Sequence, residues 1–230
     1  MIVGNGLLAN AFRRFYEEAE DVVVYASGVS NSREMRGEEF LRERRLLEQF
    51  VDRPALLLYF STCSINDEEL AGTPYVTHKK AMEELVRGSP RFAIFRLPQV
   101  VGRTRNPNTL TNYLYGKVST GEPFEAWTQA RRNLIDVDDV ACIVRKLLQD
   151  GGGEGRITEI ASPFYTSIPE LVRVFEAVLG RGACYTRREA GGSYPIDTSI
   201  AVAVAAACGV RFDSTYVRRV IEKYYGSDAS

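Results

Sequence analysis

Thr62, Tyr75 and Lys79 carry side chains whose types and spacing suit proton transfer. A phenol with an ordinary pKa of about 10 is a poor base at neutral pH, so an ammonium one helical turn away is needed to stabilise its phenolate. Tyr75-Val-Thr-His-Lys79 supplies that i, i+4 spacing. The hydroxyl of Thr62, with Ser61 in reserve, would hold a substrate carbonyl or alcohol oxygen beside the phenol, the arrangement that general acid-base catalysis requires. Spacing alone is a weak signal, because the chain has 12 tyrosines and a short motif is only a hypothesis. Tyr113-Leu-Tyr-Gly-Lys117 repeats the pattern, yet it follows no apolar strand ending in hydroxyls and includes Gly116, a poor helix former. Leu56-Leu-Leu-Tyr-Phe-Ser-Thr62 is such a strand, and this context selects Tyr75.

The elements that must position these groups are legible as short apolar runs alternating with amphipathic stretches, the mark of a parallel sheet covered by helices. Strands are predicted near 1–3, 21–26, 55–61 and 92–97, with helices near 7–19, 33–50 and 75–88. The helix over 33–50, with Glu38 four residues before Arg42 and Arg44 four before Glu48, reads as a solvated face. Beyond residue 100 the pattern loosens into a loop at 103–108, a helix at 109–119, a turn at Gly121-Glu-Pro123 and a helix capped by Asp138 that runs to about 149. A strand at 157–161, a helix at 167–179 ended by Gly180, and helices near 197–208 and 214–225 complete the chain.

Gly4-Asn5-Gly6-Leu7-Leu-Ala9 follows the first strand and opens the first helix. Glycines there permit a tight turn and close backbone approach, while the free amides at a helix start favour a pyrophosphate. A plain strand-to-helix turn has the same glycines; placement at the head of an alternating chain favours the functional reading. The acidic residue that holds an adenosine ribose about 20 positions on is absent. Ala26, Ser27 and Gly28 stand at the end of the next strand, and Glu20 and Asp21 lie at its other end.

Composition removes other classes. With 230 residues, 45% of them hydrophobic, the chain suits one domain of 1–230 with a small lobe built mainly from about 103–135 and 162–230. A net charge of −1 and dispersed arginine pairs argue against nucleic acid as a partner. The cysteines at 63, 142, 184 and 208 have no zinc spacing and no disulfide density, so no metal is expected and reduced thiols in a cytoplasm fit. The longest apolar run, Ile200 to Cys208, is about half of the ~20 residues that a membrane span needs, and no signal peptide precedes Met1-Ile2-Val3. A soluble cytoplasmic protein is the expectation.

In order and spacing these segments resemble the extended short-chain dehydrogenase/reductases, the NAD-dependent epimerase/dehydratase family that acts largely on nucleotide sugars. Asp21 to Ser30 is similar to the family's fourth strand, Leu56 to Ser64 to its fifth, and Tyr75-x-x-x-Lys79-x-x-x-Glu83 to its catalytic helix. Phe95 to Gly102 resembles the segment beside the nicotinamide, and Arg132 to Val140 the segment that contributes a substrate-phosphate arginine. The resemblance implies a Rossmann-like α/β doubly wound parallel sheet that lacks the second and third strands, hence trimmed at one edge, with a small C-terminal substrate lobe. It implies NAD or NADP as cofactor, with weakened adenosine recognition. Gly4, Asn5, Gly6 and Leu7 would meet the pyrophosphate, Ser27 and Gly28 the cofactor's flank, Leu97 and Pro98 the nicotinamide face, and Lys79 the ribose.

Implied catalytic residues are Thr62, Tyr75 and Lys79; implied substrate contacts are Ser61, Gln99 and Arg132. The activity implied is ketoreduction or C4 epimerisation of a nucleotide-linked sugar, possible as a homodimer through the catalytic helix and its predecessor. Cys63 and Ser64 stand where family 4,6-dehydratases carry an acidic pair, which disfavours dehydration. Cys63 and His78 as an epimerising pair are outweighed by buried packing for the one and an exposed helix position for the other. Trp127 walls a pocket or, more commonly, anchors a lobe. Arg132 binds a diphosphate or pairs with Asp136 or Asp138. The rival reading is a non-catalytic nucleotide or nucleotide-sugar binding module with a degenerate cofactor site.

Overall fold

Seven consecutive residues of β3 (Leu56–Thr62) are buried, because this strand is central in a sheet covered on both faces. The computed structural model describes residues 1–226. Its main sheet is five-stranded and parallel, in the order β1 (Ile2–Val3), β2 (Val22–Tyr25), β3, β4 (Phe92–Leu97) and β8 (Ile157–Glu159). Register is set by pairs such as Val22 with Leu56, Thr62 with Leu97, and Ile94 with Ile157.

Alternation along the strands builds the two faces of a first core. Leu56, Leu58 and Phe60 face α1 (Leu7–Tyr16) and α5 (Val137–Gln149), where Phe12 lies 4.9 Å from Phe60 ring to ring. Leu57 and Tyr59 face α2 (Gly37–Val51) and α3 (Pro74–Arg87) through Leu47, Phe50, Met82 and Val86. The trimmed sheet expected from the sequence is present. The chain passes from α1 directly to β2, and β1 pairs with β2 alone, so it is one edge.

A second core joins β5 (Gln99–Val101), α4 (Leu110–Thr120), β6 (Phe124–Trp127), β7 (Arg131–Asp136), β9 (Tyr165–Ser167), α6 (Ile168–Leu179), β10 (Tyr185–Arg188) and α8 (Tyr216–Tyr225). Strands β5, β7 and β9 form one small sheet, and β6 with β10 another. None of these five strands is evident in the sequence. They are three to six residues long, and their exposed positions include Arg131, Arg187 and Arg188, so neither a long apolar run nor a clean alternation marks them. Helix α7 (Ser199–Ala205) packs on α5 from the first core.

Helix ends follow local chemistry. Ser167 and Glu170 form a reciprocal capping box at the start of α6, and Gly180 ends it in the left-handed conformation. The cap of α5 is Asp136 rather than Asp138, because the Asp136 carboxylate accepts from the Asp138 amide at 2.9 Å.

Candidate active site

Four adjacent parallel strands end at one edge of the sheet, and the residues singled out by sequence stand on those ends. Gly4–Leu7 follow β1, Ser27 and Gly28 follow β2, Ser61 and Thr62 finish β3, and Leu97 and Pro98 finish or follow β4. In open α/β sheets the crevice outside the carboxyl ends of the strands is where ligands bind.

Gly4 has φ +118°, and a Cβ on it would meet the Ala26 carbonyl oxygen at 2.6 Å; only glycine suits this turn. Gly6 is the N-cap of α1 without any side-chain cap, and a Cβ there would meet nothing within 4 Å. The first turn of α1 therefore has no side-chain cap, and the space beside Gly6, next to exposed Asn5, is open. Ala9 is fully buried and lets α1 pack on the sheet, while the Leu7 methyls close against Gly102.

Helix α3 starts where Thr73 accepts from the Val76 amide and Pro74 fixes the first turn, which puts Tyr75 and Lys79 on one face. Tyr75 packs with Val29 and Val76. Burial raises its phenol above the ordinary value, and the Lys79 charge and the Thr62 hydroxyl act in the opposite sense. Thr62 accepts from the Ser64 amide at 3.1 Å, which leaves its O–H free to donate. Ser61 Oγ is buried with no hydrogen-bond partner among the described residues.

Lys79 is not a free ammonium. It donates to Glu43 Oε1 at 3.0 Å and to the Tyr59 hydroxyl at 3.0 Å, and Tyr59 donates in turn to Glu43 Oε1 at 2.6 Å. The other carboxylate oxygen accepts from the Val29 amide at 2.6 Å and meets His78 Nε2 at 3.0 Å. Burial pushes the Glu43 carboxyl up, but Lys79, His78, Tyr59 and the Val29 amide together hold it well below the carboxylate range. Gly28 closes over this pair: a Cβ there would lie 2.8 Å from Lys79 Nζ and 3.0 Å from Glu43 Oε1.

Glu43 and Tyr59 are thus the site residues that sequence reasoning missed. Arg44 and Glu48 do pair on the solvated face of α2, but Glu43 occupies its inner stripe with Phe40, Leu47 and Phe50. A carboxylate at an apolar register position was the available signal. His78 differs from the exposed position expected of it, since its side chain is 8% exposed and its ring lies 4.7 Å from Phe40.

Cys63 is fully buried, and burial pushes its thiol far up. Arg132 pairs with neither Asp136 nor Asp138; it donates to the carbonyls of Arg131 and Gly192, both at 2.9 Å. Asp136 is bound instead by Lys223 and Tyr224, each at 2.6 Å. Tyr194 bridges toward this region, 3.4 Å from Ser64 Oγ; burial raises its phenol, while Ser64 and the Arg132 charge oppose that rise. Gln99 opens β5 opposite Leu134, two residues from Arg132. Trp127 is 40% exposed on β6 and anchors no core. Among the described residues no His, Cys, Asp and Glu cluster could hold a metal, and no helix is long and apolar enough to cross a membrane.

No curated protein sequence matches the chain significantly. Solved structures do match. A UDP-glucose 4-epimerase from Bifidobacterium longum, in complex with NAD+ and UDP, aligns over 95% of this chain and 80% of its own, with TM-score 0.69 and 18% identity. An NAD dependent NDP-hexosamine 5,6-dehydratase of tunicamycin biosynthesis aligns over 95% and 79%, with TM-score 0.68 and 17% identity. A UDP-glucuronic acid 4-epimerase from Bacillus cereus, in complex with UDP-glucuronic acid and NAD, aligns over 87% and 76%, with TM-score 0.65 and 17% identity. At such identities the likeness concerns the fold. The sequence profile of the NAD dependent epimerase/dehydratase family matches residues 7–161, two thirds of the chain, and the chain belongs to that family.

Proposed function

We propose that this chain is an NAD(P)-dependent oxidoreductase or epimerase acting on a nucleotide-linked sugar, by ketoreduction or C4 epimerisation. The observation that carries the reading is the convergence of the glycine turn, Ser27-Gly28, Thr62, Tyr75 and Leu97-Pro98 on the carboxyl ends of four neighbouring strands. In this reading the second core is the substrate lobe, with Gln99 and Arg132 facing the sugar nucleotide.

The residues present fit part of a dinucleotide. Uncapped amides at the start of α1 suit a pyrophosphate, and the space beside Gly6 is open. The adenosine end fits less well, because β1 has no strand beyond it and no carboxylate stands at the end of β2. A nicotinamide ring held against Leu97 and Pro98 would supply or accept the hydride. Tyr75 would pass a proton to or from the substrate oxygen, Thr62 would orient that oxygen through its free O–H, and Lys79 would hold charge beneath them. Dehydration is disfavoured, since Cys63 is buried with its thiol protonated and Ser64 is no acid.

Calorimetric titration with NAD, NADP and nicotinamide mononucleotide, followed by assay against a panel of UDP-sugars, tests the reading. Full NAD is expected to bind within about tenfold of the mononucleotide; tight, adenine-dependent binding would refute the weakened adenosine site. The burial of Lys79 against Glu43 favours a second reading, a nucleotide-sugar binding module without turnover. Retention of UDP-sugar binding with no NAD(P)(H) bound to the purified protein, by absorbance and mass spectrometry, selects that alternative.

A further inference from the structure

Glu43 is fully buried on the inner face of α2, and its carboxylate is satisfied by four groups: Val29 N–H, Tyr59 O–H, the His78 ring and the Lys79 ammonium. A lysine ammonium has three donors. Two of them go to Glu43 and Tyr59, which leaves one for Tyr75 or a ribose hydroxyl. The geometry points to Glu43 as a positioning residue: its carboxylate fixes the Lys79 ammonium and offsets part of its charge, so that, together with burial, it keeps Tyr75 a neutral phenol able to donate its proton to a carbonyl oxygen. This rests on the reading of Tyr75 as the acid-base group. It adds to that reading which form of Tyr75 rests in the site, the neutral phenol that the reductive direction uses first.

Few groups compete for control of this phenol. From α3 come His78 and Lys79, from β3 Tyr59 and Thr62, from β2 Tyr25, whose hydroxyl donates to the Glu43 carbonyl at 2.9 Å, and from α2 Glu43 itself, with Arg42 acting on Tyr25. Lys79 is the cation that favours phenolate at Tyr75, and Glu43, bonded to it, acts against it. In the reductive step the phenol O–H breaks and its proton goes to the substrate oxygen. The hydride for the carbonyl carbon would come from a bound dihydronicotinamide, which would be oxidised, and the phenolate would regain a proton from solvent. A phenol kept protonated at neutral pH suits that direction, because it enters each cycle loaded.

The experiment is a ¹³Cζ-tyrosine NMR titration of the full chain, with the Tyr75 resonance assigned by its loss in Tyr75→Phe. In Glu43→Gln, which keeps shape and hydrogen bonding, the Tyr75 titration is expected to move down by about one pH unit or more. No movement, or movement upward, overturns the proposal. Should Glu43→Gln not fold, Glu43→Gln/Lys79→Met removes both charges together. The Tyr75 titration is then expected to rise by less than in Lys79→Met alone, because Lys79 acts on this phenol more strongly than Glu43 does, and a rise as large as that of Lys79→Met alone overturns the proposal. The reading beneath it fails separately: if Tyr75→Phe retains turnover, Tyr75 is not the acid, whatever its resonance does.

Discussion

Two helices of this protein carry the same Tyr-x-x-x-Lys spacing, and they have almost nothing else in common. On α3, Tyr75 is 7% exposed, and Lys79 is bonded to a carboxylate with no exposure at all. On α4, Tyr113 is 43% exposed, and Lys117 reaches Glu122 at 2.7 Å on the surface while passing over the Tyr113 ring. The i, i+4 geometry brings a phenol and an ammonium together in both. What differs is the dielectric around them and where each helix begins. Helix α3 begins beside the carboxyl end of β3, whose last residues are Ser61 and Thr62, whereas α4 belongs to the second core and opens beside no strand end that carries hydroxyls. Chemistry in this motif comes from placement on the sheet.

The sharpest way to break the comparison is to remove one hydroxyl from each pair. Tyr75→Phe is expected to lower turnover of the responsive UDP-sugar by about 10²- to 10⁴-fold with the fold intact by circular dichroism, while Tyr113→Phe leaves turnover unchanged. Equal effects, or none at Tyr75, would show that α3 has no catalytic claim over α4.

Stability separates the two pairs next. Lys79→Met strands a buried carboxylate and is expected to cost about 3–5 kcal/mol in urea unfolding. Lys117→Met breaks an exposed pair and is expected to change stability by no more than about 0.5 kcal/mol. A Lys79→Met loss as small as that of Lys117→Met would mean that Glu43 reaches water or a proton, contrary to its burial.

The same contrast explains what was legible beforehand. The four sheet strands that carry the site are apolar runs bounded by turn residues, and their positions agree with the sequence reading to within about two residues. So do the glycine turn after β1, the missing units between α1 and β2, and the apolar strand that ends at Thr62. The second core's strands were hidden because Tyr185-Thr-Arg-Arg188 and Arg131-Arg132 read as solvated segments, and their pairing depends on residues about 60 and about 35 positions away respectively. Glu43 was hidden for a different reason. In Gly37 to Val51 charged residues crowd every face, so charge alone cannot separate the solvated Arg44–Glu48 pair from the one carboxylate turned inward. Only the phase of Phe40, Leu47 and Phe50 does so, and that phase acquires meaning once the Lys79 helix is known to lie opposite.

The smallest expected difference lies in acid. Glu43 is held well below its ordinary range when folded and titrates near the usual carboxylate value when unfolded, so its contribution is complete above about pH 4.5 and is lost as pH falls toward the folded value. Over that window the unfolded chain carries the extra proton, and stability falls with pH. The slope for one group, about 1.4 kcal/mol per pH unit, implies that the parent loses about 2 kcal/mol more than Glu43→Gln/Lys79→Met between about pH 5 and pH 3. Other carboxylates cancel in the difference. Glu122 is also held low, first by its hydrogen bond to Lys117 and then by that charge, but it stands in water, where salt screens it. Urea unfolding at both pH values, in low salt and in about 0.5 M salt, therefore distinguishes the pairs. The Glu43 difference should persist in salt, and any difference between the parent and Glu122→Gln/Lys117→Met should fade. A Glu43 difference that fades equally would place its carboxylate in the same solvent-screened class as Glu122, and the distinction between the two helices would then rest on position alone.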